Sequence, residues 1–299
     1  MAGSKMAGTT VTGTKTPIKP FLKWAGGKRQ LLTEIKKQLP EDFASYTYYE
    51  PFAGGGAVLF ELQPQKAVIN DSNSQLMIAY NAIMDNVEGL ITLLREHEIN
   101  YSKDYYYQIR NIDRDPLRFS KLSNVEKAAR TIFLNRTCFN GLYRVNSKGF
   151  FNVPSGKFPG GKYKNPIICN EGNLRLISKY LNSGSITILN KDFEEAVSGA
   201  DKNSFIYFDP PYYSQDKTGF TKYQADDFCE SSQERLRNLI MEMTKQGIKC
   251  LLSNSDTEYI RNSYKNGFFQ IITVQAKRAI NSNPMGRGNV SELLIKNWY

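Results

Sequence analysis

The chain has 299 residues, 40% hydrophobic and 23% charged, with 39 basic against 29 acidic side chains and a net charge of +10. That length supports a full core in one large domain, or one domain with an insertion, and no apolar run is long enough to span a bilayer. Cys138, Cys169, Cys229 and Cys250 are scattered without C-x-x-C spacing and His97 is the single histidine, which argues against a metal site and against histidine-based catalysis.

Residues 1–17 carry Gly, Thr and Lys with no apolar segment, and read as a disordered tail, not a secretory signal. Free thiols then fit a cytoplasmic protein. Phe21-Leu-Lys-Trp-Ala-Gly-Gly-Lys28 follows, and Leu31, Leu32, Ile35 and Leu39 recur at helical spacing until Pro40. Gly27-Lys28 invites a phosphate-loop reading. That reading fails, because Leu22 stands where the earlier glycine belongs and Arg29 where a Ser or Thr belongs.

Tyr46–Tyr49 reads as the first strand, running into Glu50-Pro-Phe-Ala-Gly-Gly-Gly56, and Ala57–Leu62 opens a helix. A strand, glycine turn and helix in this order let a ligand approach the backbone closely. Leu59 occupies the position of the third dinucleotide-fold glycine, which favours a nucleoside without a pyrophosphate over NAD. The strand Lys66–Asn70 ends in Asp71, where an acid is placed to accept from ribose hydroxyls.

Ser74 to about Cys138 shows helical periodicity and no strand signal, and reads as an inserted helical subdomain. Within it Tyr105–Tyr107 reads as packing and His97 as a solvated residue. Asn135–Pro154 reads as a β-hairpin about the Asn146–Gly149 turn. A two-stranded ribbon fits a DNA major groove, with Phe139, Leu142, Arg144 and Lys148 supplying a wedge, an apolar contact and cations. No acid occurs from Lys127 to Asn170, whereas Lys127, Arg130, Arg136, Arg144, Lys148, Lys157, Lys162 and Lys164 do. Such a stretch suits a polyanionic backbone; the plain alternative is a solvated basic surface.

Strands resume at Ser185–Leu189, ending near Asp192, and at Ser204–Phe208, ending in Asp209-Pro-Pro-Tyr212. Two prolines stop the strand and remove two donors, leaving the Asp209 carboxylate and the Pro210 carbonyl as acceptors beside the flat face of Tyr212. Acceptors plus a stacking face suit a planar group bearing an NH2, such as adenine; an ordinary strand-ending turn would look the same in isolation. A polar loop (Tyr213–Phe228), a helix near Gln233–Lys245, a strand at Ile248–Leu252 and a closing antiparallel pair (Phe268–Val274 with Leu293–Trp298) complete the chain.

Together these motifs resemble the Dam-type, α-class (D12-like) DNA adenine-N6 methyltransferases over roughly Pro20 to Trp298. The resemblance implies an α/β fold: a Rossmann-like, doubly wound methyltransferase sheet with an inserted, mostly helical target-recognition domain carrying a β-hairpin. It divides the chain into a catalytic domain (18–73 and 169–299) and a DNA-binding domain (74–168). It implies S-adenosyl-L-methionine as cofactor, contacted by Trp24, Lys28, Phe52, Gly54, Asp71, Asp192 and Asp209. Asp209, Pro210 and Tyr212 would be catalytic, and Lys23, Phe139, Asn140, Leu142, Arg144 and Pro154 would touch double-stranded DNA, with GATC as the expected site. A monomer is expected, with no direct contact to any cognate restriction endonuclease. Phe158–Gly161 and Asn281–Gly288 depart from the family pattern and bear on flanking preference. The rival readings are a cytosine-N4 methyltransferase, which usually has serine in place of Asp209, and a catalytically silent DNA-binding homologue.

Overall fold

A computed structural model describes residues 17–156, 166–213, 228–277 and 289–299. Expectations for the tail up to residue 16, the lysines at 157, 162 and 164, the Phe158–Gly161 insertion, the polar stretch 214–227 and the Asn281–Gly288 loop lie outside these residues. The elements in chain order are α1 (Leu32–Lys37), β1 (Thr47–Glu50), α2 (Ala57–Leu62), β2 (Lys66–Asn70), α3 (Ser74–Asp85), α4 (Val87–Ile99), α5 (Lys103–Arg110), α6 (Pro116–Ser120), α7 (Asn124–Thr137) and α8 (Glu171–Leu181). Then follow β3 (Ser185–Leu189), α9 (Phe193–Ala196), β4 (Ser204–Phe208), α10 (Glu230–Lys245), β5 (Lys249–Ser255), α11 (Glu258–Tyr264), β6 (Gln270–Lys277) and β7 (Asn289–Lys296).

The strands form one seven-stranded sheet in the order β3-β2-β1-β4-β5-β7-β6. The pairs from β3 to β5 are parallel, and β7 runs antiparallel to both β5 and β6. Chain order runs one way from β1 to β3 and the other way from β4 to β5, so the sheet switches direction between β1 and β4. Ligands of open α/β sheets bind at such a switch, outside the carboxyl ends of the strands. The turns opened by Glu50 and by Asp209 both start there.

Burial explains why β4 is central. All five of its residues are buried, as expected of a parallel strand covered on both faces. Phe205 and Tyr207 join one core with Tyr48, Leu251, and residues of α2, α3, α7 and α8; Ile206 and Phe208 join the other with Leu236, Ile240 and Met243 of α10 and Ile260 and Tyr264 of α11. Alternate residues facing opposite layers is the strand period. Helix α3 lies against β3, α7 and α8 within the first core. Among the described residues no helix is long and apolar enough to cross a membrane.

Helix α7 opens with a capping box between Ser123 and Glu126. After it, the expected hairpin takes the form of a narrow arm without continuous strands. Val145 and Phe151 bridge antiparallel about the Asn146–Gly149 turn, and Cys138 bridges Ser155. Left-handed Asn140 (φ 56°) and Gly141 (φ 66°) bend one side out of extended conformation.

Two sequence expectations are corrected here. His97 is not solvated: its ring stacks on Phe133 at 4.8 Å, bonds the Tyr105 hydroxyl at 2.8 Å, and burial lowers its pKa to about 4. Arg130 does not belong to a surface footprint: it is 5% exposed, pairs with Asp113 at 2.8 Å and donates to the carbonyls of Ile109 and Arg110. Arg136, half-buried, donates its Nε to the Ile167 carbonyl.

Candidate active site

The glycine turn after β1 is closed by the end of β2. Gly54 N donates to Asp71 Oδ2 at 3.0 Å, Asn73 N donates to Oδ1 at 2.9 Å, and burial raises the Asp71 pKa. Gly54 has a φ of 50°, and an added Cβ would meet the Trp24 ring at 2.9 Å. Glycine therefore lets the indole lie flat on the turn. On the arm side, Trp24 faces Tyr143 at 5.2 Å between ring centroids.

Fully buried Asn70 ties this turn to the loop after β3. Its Nδ2 donates to the carbonyls of Pro51 and Lys191, and its Oδ1 accepts from Lys191 N. Asp192, next along, caps α9 through Glu194 N and pairs with Arg235 of α10 at 2.9 Å. Phe52 packs against Phe193 at 5.4 Å and Phe228 at 5.5 Å, giving an aromatic wall beside the glycine turn. Phe193 and Phe228 read in the sequence as ordinary apolar residues; only the fold joins them to Phe52.

The acidic turn lies on the neighbouring strand. Lys28 Nζ sits 2.8 Å from Asp209 Oδ1 and 4.3 Å from the centroid of the Tyr212 ring, and donates to the Gly26 carbonyl. Lys28 is thus at the acid, and only 7% exposed. Ser253 Oγ donates to the same Asp209 oxygen at 2.8 Å and meets the Tyr207 hydroxyl at 3.0 Å. Burial raises the Asp209 pKa, Lys28 and Ser253 pull it down, and Glu292 pushes it up.

Behind this turn stands a buried polar frame. Gln233 donates to the Pro211 carbonyl and accepts from Asn254; Asn254 also accepts from Tyr213 N, and Ser255 donates to the Tyr213 carbonyl. The Tyr212 hydroxyl donates to Glu292 of β7 at 2.8 Å, fixing the ring's tilt. Ser253 and Asn254 are fully buried polar residues at a strand's carboxyl end, a signal that the apolar run at Ile248–Leu252 ends in function.

Glu50 links the two turns. It is 2% exposed, accepts from the Tyr48 hydroxyl at 2.8 Å and feels both Asp209 and Asp71; burial raises its pKa to about 8. A carboxyl here stays neutral at pH 7 and adds no charge to a site already holding two acids.

On the arm, Phe139 and Leu142 are 49% and 41% exposed, and Pro154 is exposed while its carbonyl accepts from Phe139 N. Asn140 and Lys23 are also exposed. Arg144 donates through Nε to Asn152 Oδ1 at 2.7 Å, which orients the outer edge of the guanidinium. The structure thus gathers Trp24, Phe52, Gly54 and Asp71 around the glycine turn, and Lys28, Asp209 and Tyr212 around the acid. It sets Lys23 beside the Phe139–Leu142 turn.

A profile of the D12 class N6 adenine-specific DNA methyltransferases matches residues 24–280. The chain is 45% identical over 285 residues to the type II methyltransferase M1.LlaDCHI of Lactococcus lactis subsp. cremoris, covering 95% of this chain and 97% of that protein. It is 41% identical to the type II methyltransferase M.MjaIII of Methanocaldococcus jannaschii, covering 94% and 99%. It is 35% identical to a DNA adenine methylase of Haemophilus influenzae, covering 94% of each.

Proposed function

Because the chain belongs to the D12 class of N6 adenine-specific DNA methyltransferases, we propose that it moves the methyl group of S-adenosyl-L-methionine to N6 of an adenine flipped out of duplex DNA, within GATC. The observation that carries this reading is the Lys28 ammonium at Asp209 and over Tyr212. An N–H donor above that ring already finds an acceptor at 2.8 Å. An adenine stacked on Tyr212, once Lys28 moves aside, would offer its amine to the same oxygen.

Both N6 hydrogens would be accepted, one by the Asp209 carboxylate and one by the Pro210 carbonyl. That localises the nitrogen lone pair, which is otherwise delocalised into the purine. The cofactor supplies an electrophilic methyl on a sulfonium. The residues present fit it: the Phe52, Phe193 and Phe228 wall offers a face for its adenine, and Asp71 retains lone pairs for ribose hydroxyls. Gly54 bears no side chain that would close the approach. Asp192, held by Arg235, borders the same side. The rate would then rest on placement and local electrostatics.

Flipping costs a few kcal/mol. Stacking on Tyr212, worth about 1–3 kcal/mol, and wedging by Phe139 would offset it. Lys23, Asn140, Leu142, Arg144 and Pro154 would read or position the flanking bases from residues 74–168 and the Lys23 segment, while 18–73 and 169–299 do the chemistry. We infer a cytoplasmic monomer that needs no contact with a partner endonuclease; the names of the Lactococcus and Methanocaldococcus relatives favour a restriction-modification setting.

The test is plasmid DNA treated with purified protein and S-adenosylmethionine, then digested to nucleosides for mass spectrometry and sequenced for modified positions. N6-methyladenine confined to GATC is the expected result. N4-methylcytosine, or no modified base, would overturn it.

A further inference from the structure

Resting on that reading, we propose that Asn135 is a positioning residue for sequence discrimination: it holds Lys23 and the Phe139–Leu142 turn in one fixed relation. Asn135 lies in the last turn of α7 and is 0% exposed. Its Oδ1 accepts from Lys23 N at 2.9 Å. Its Nδ2 donates to the Lys23 carbonyl at 2.8 Å and to the Gly141 carbonyl at 2.9 Å. Both donors and the acceptor of the amide are thereby used, and all three partners are main-chain atoms.

These partners come from segments far apart in sequence, which Asn135 bridges by hydrogen bonds and Trp24 on Tyr143 by packing. Lys23 lies 112 residues upstream and Gly141 six residues downstream. Aspartate has the same length but no donor, and glutamine is one methylene too long. The residue type is therefore dictated by the two backbones it joins. Gly141 completes the joint: at its φ of +66°, an added Cβ would meet Lys23 Cδ at 2.5 Å and Cβ at 2.8 Å, so its lack of a side chain lets the lysine stem lie on the turn.

Helix α7 does not depend on this amide to stay in place. It is held independently by its capping box, by the Arg130–Asp113 pair and by packing on α3. What Asn135 fixes by hydrogen bonds is the Lys23 main chain relative to the turn that carries Leu142, with Lys23 and Leu142 both exposed and both expected at base edges. Base readout requires such groups to be held in place by a supporting shell. Five residues beyond Lys23, the same segment delivers Lys28 to Asp209, so the joint also links the reading surface to the acid.

Two full-length variants test this. Asn135→Asp keeps the shape and the acceptor for Lys23 N but turns a carboxylate toward two carbonyls. Gly141→Ala disturbs the same joint from the arm side. Ile240→Ala, a cavity in the opposite core, serves as the control for lowered stability. Each is given plasmid DNA and S-adenosylmethionine, modified adenines are mapped by sequencing, and cofactor affinity and melting are measured alongside. The expected result is wild-type cofactor affinity, with the ratio of methylation at preferred sites to single-base variants falling roughly tenfold or more in Asn135→Asp and Gly141→Ala. Ile240→Ala should keep the ratio. A wild-type ratio in both joint variants, or an equal loss in Ile240→Ala, overturns the proposal. Should Asn135→Asp fail to fold, Gly141→Ala decides alone. Absence of adenine methylation by the wild type would instead defeat the functional reading beneath it.

Discussion

On the proposed mechanism Asp209 carries a charge that its surroundings disfavour. Burial raises its pKa and the Lys28 ammonium opposes the rise, so any step that moves Lys28 away weakens that opposition. Only the ionised form accepts an amine hydrogen without donating one. Methyl transfer should therefore fall as pH drops through a value above the ordinary aspartate range, an acid limb visible in the pH profile of kcat/KM. Asp209→Ala should abolish transfer while DNA binding, measured by anisotropy, stays largely intact; near-normal turnover would remove Asp209 from the chemistry. Glu50 gives a prediction on stability instead. Its pKa is about 4.5 unfolded and about 8 folded, so the native state binds the extra proton between those values. Its contribution is complete below the lower value and is lost as pH rises through the higher one, at up to about 1.4 kcal/mol per pH unit. Glu50→Gln should flatten the dependence of melting temperature on pH from 5 to 8. At this scale the sequence was legible where chemistry forces a motif: Asp209, Tyr212, Asp71 and Gly54 stand out by type and spacing. Ser253, Gln233, Asn254 and Glu292 do not, because each is a common polar residue whose meaning comes from a partner 21 to 80 residues away.

Among the elements, strands were readable because β1 to β5 are short runs closed by turn residues, and the central strands β4 and β5 are buried on both faces. The arm was less readable. Asn140-Gly141 adopts left-handed angles that interrupt the extended pattern, and its cohesion comes from outside itself. Asp113 accepts from Phe151 N at 2.8 Å, and the Tyr106 hydroxyl donates to the Val153 carbonyl at 2.8 Å, so helical residues far upstream hold the arm down. For the same reason, the charge count misassigned Arg130: composition records a cation, not the buried acid facing it. Replacing one partner of a buried pair leaves the other uncompensated, at a cost of about 3–5 kcal/mol. Asp113 keeps its pair with Arg114, so Arg130→Ala should lower the unfolding free energy by less than that amount, whereas removal of a surface cation such as Lys148 should leave it nearly unchanged.

The whole molecule carries a net charge of +10, and the described part of the acid-free stretch after Lys127 includes the arm. Affinity for duplex DNA should fall as salt rises, linearly in a plot of log affinity against log salt. An affinity indifferent to salt would mean that the surplus cations face elsewhere. The topology has a further consequence. Lys28 reaches the acid from the segment before α1, and Glu292, which holds the Tyr212 hydroxyl, arrives on β7, inserted against β5. A polypeptide emerging from the ribosome cannot assemble that centre until Glu292 has left the exit tunnel. Any shorter nascent chain can hold the lysine and the acid but lacks the contact that fixes the Tyr212 ring.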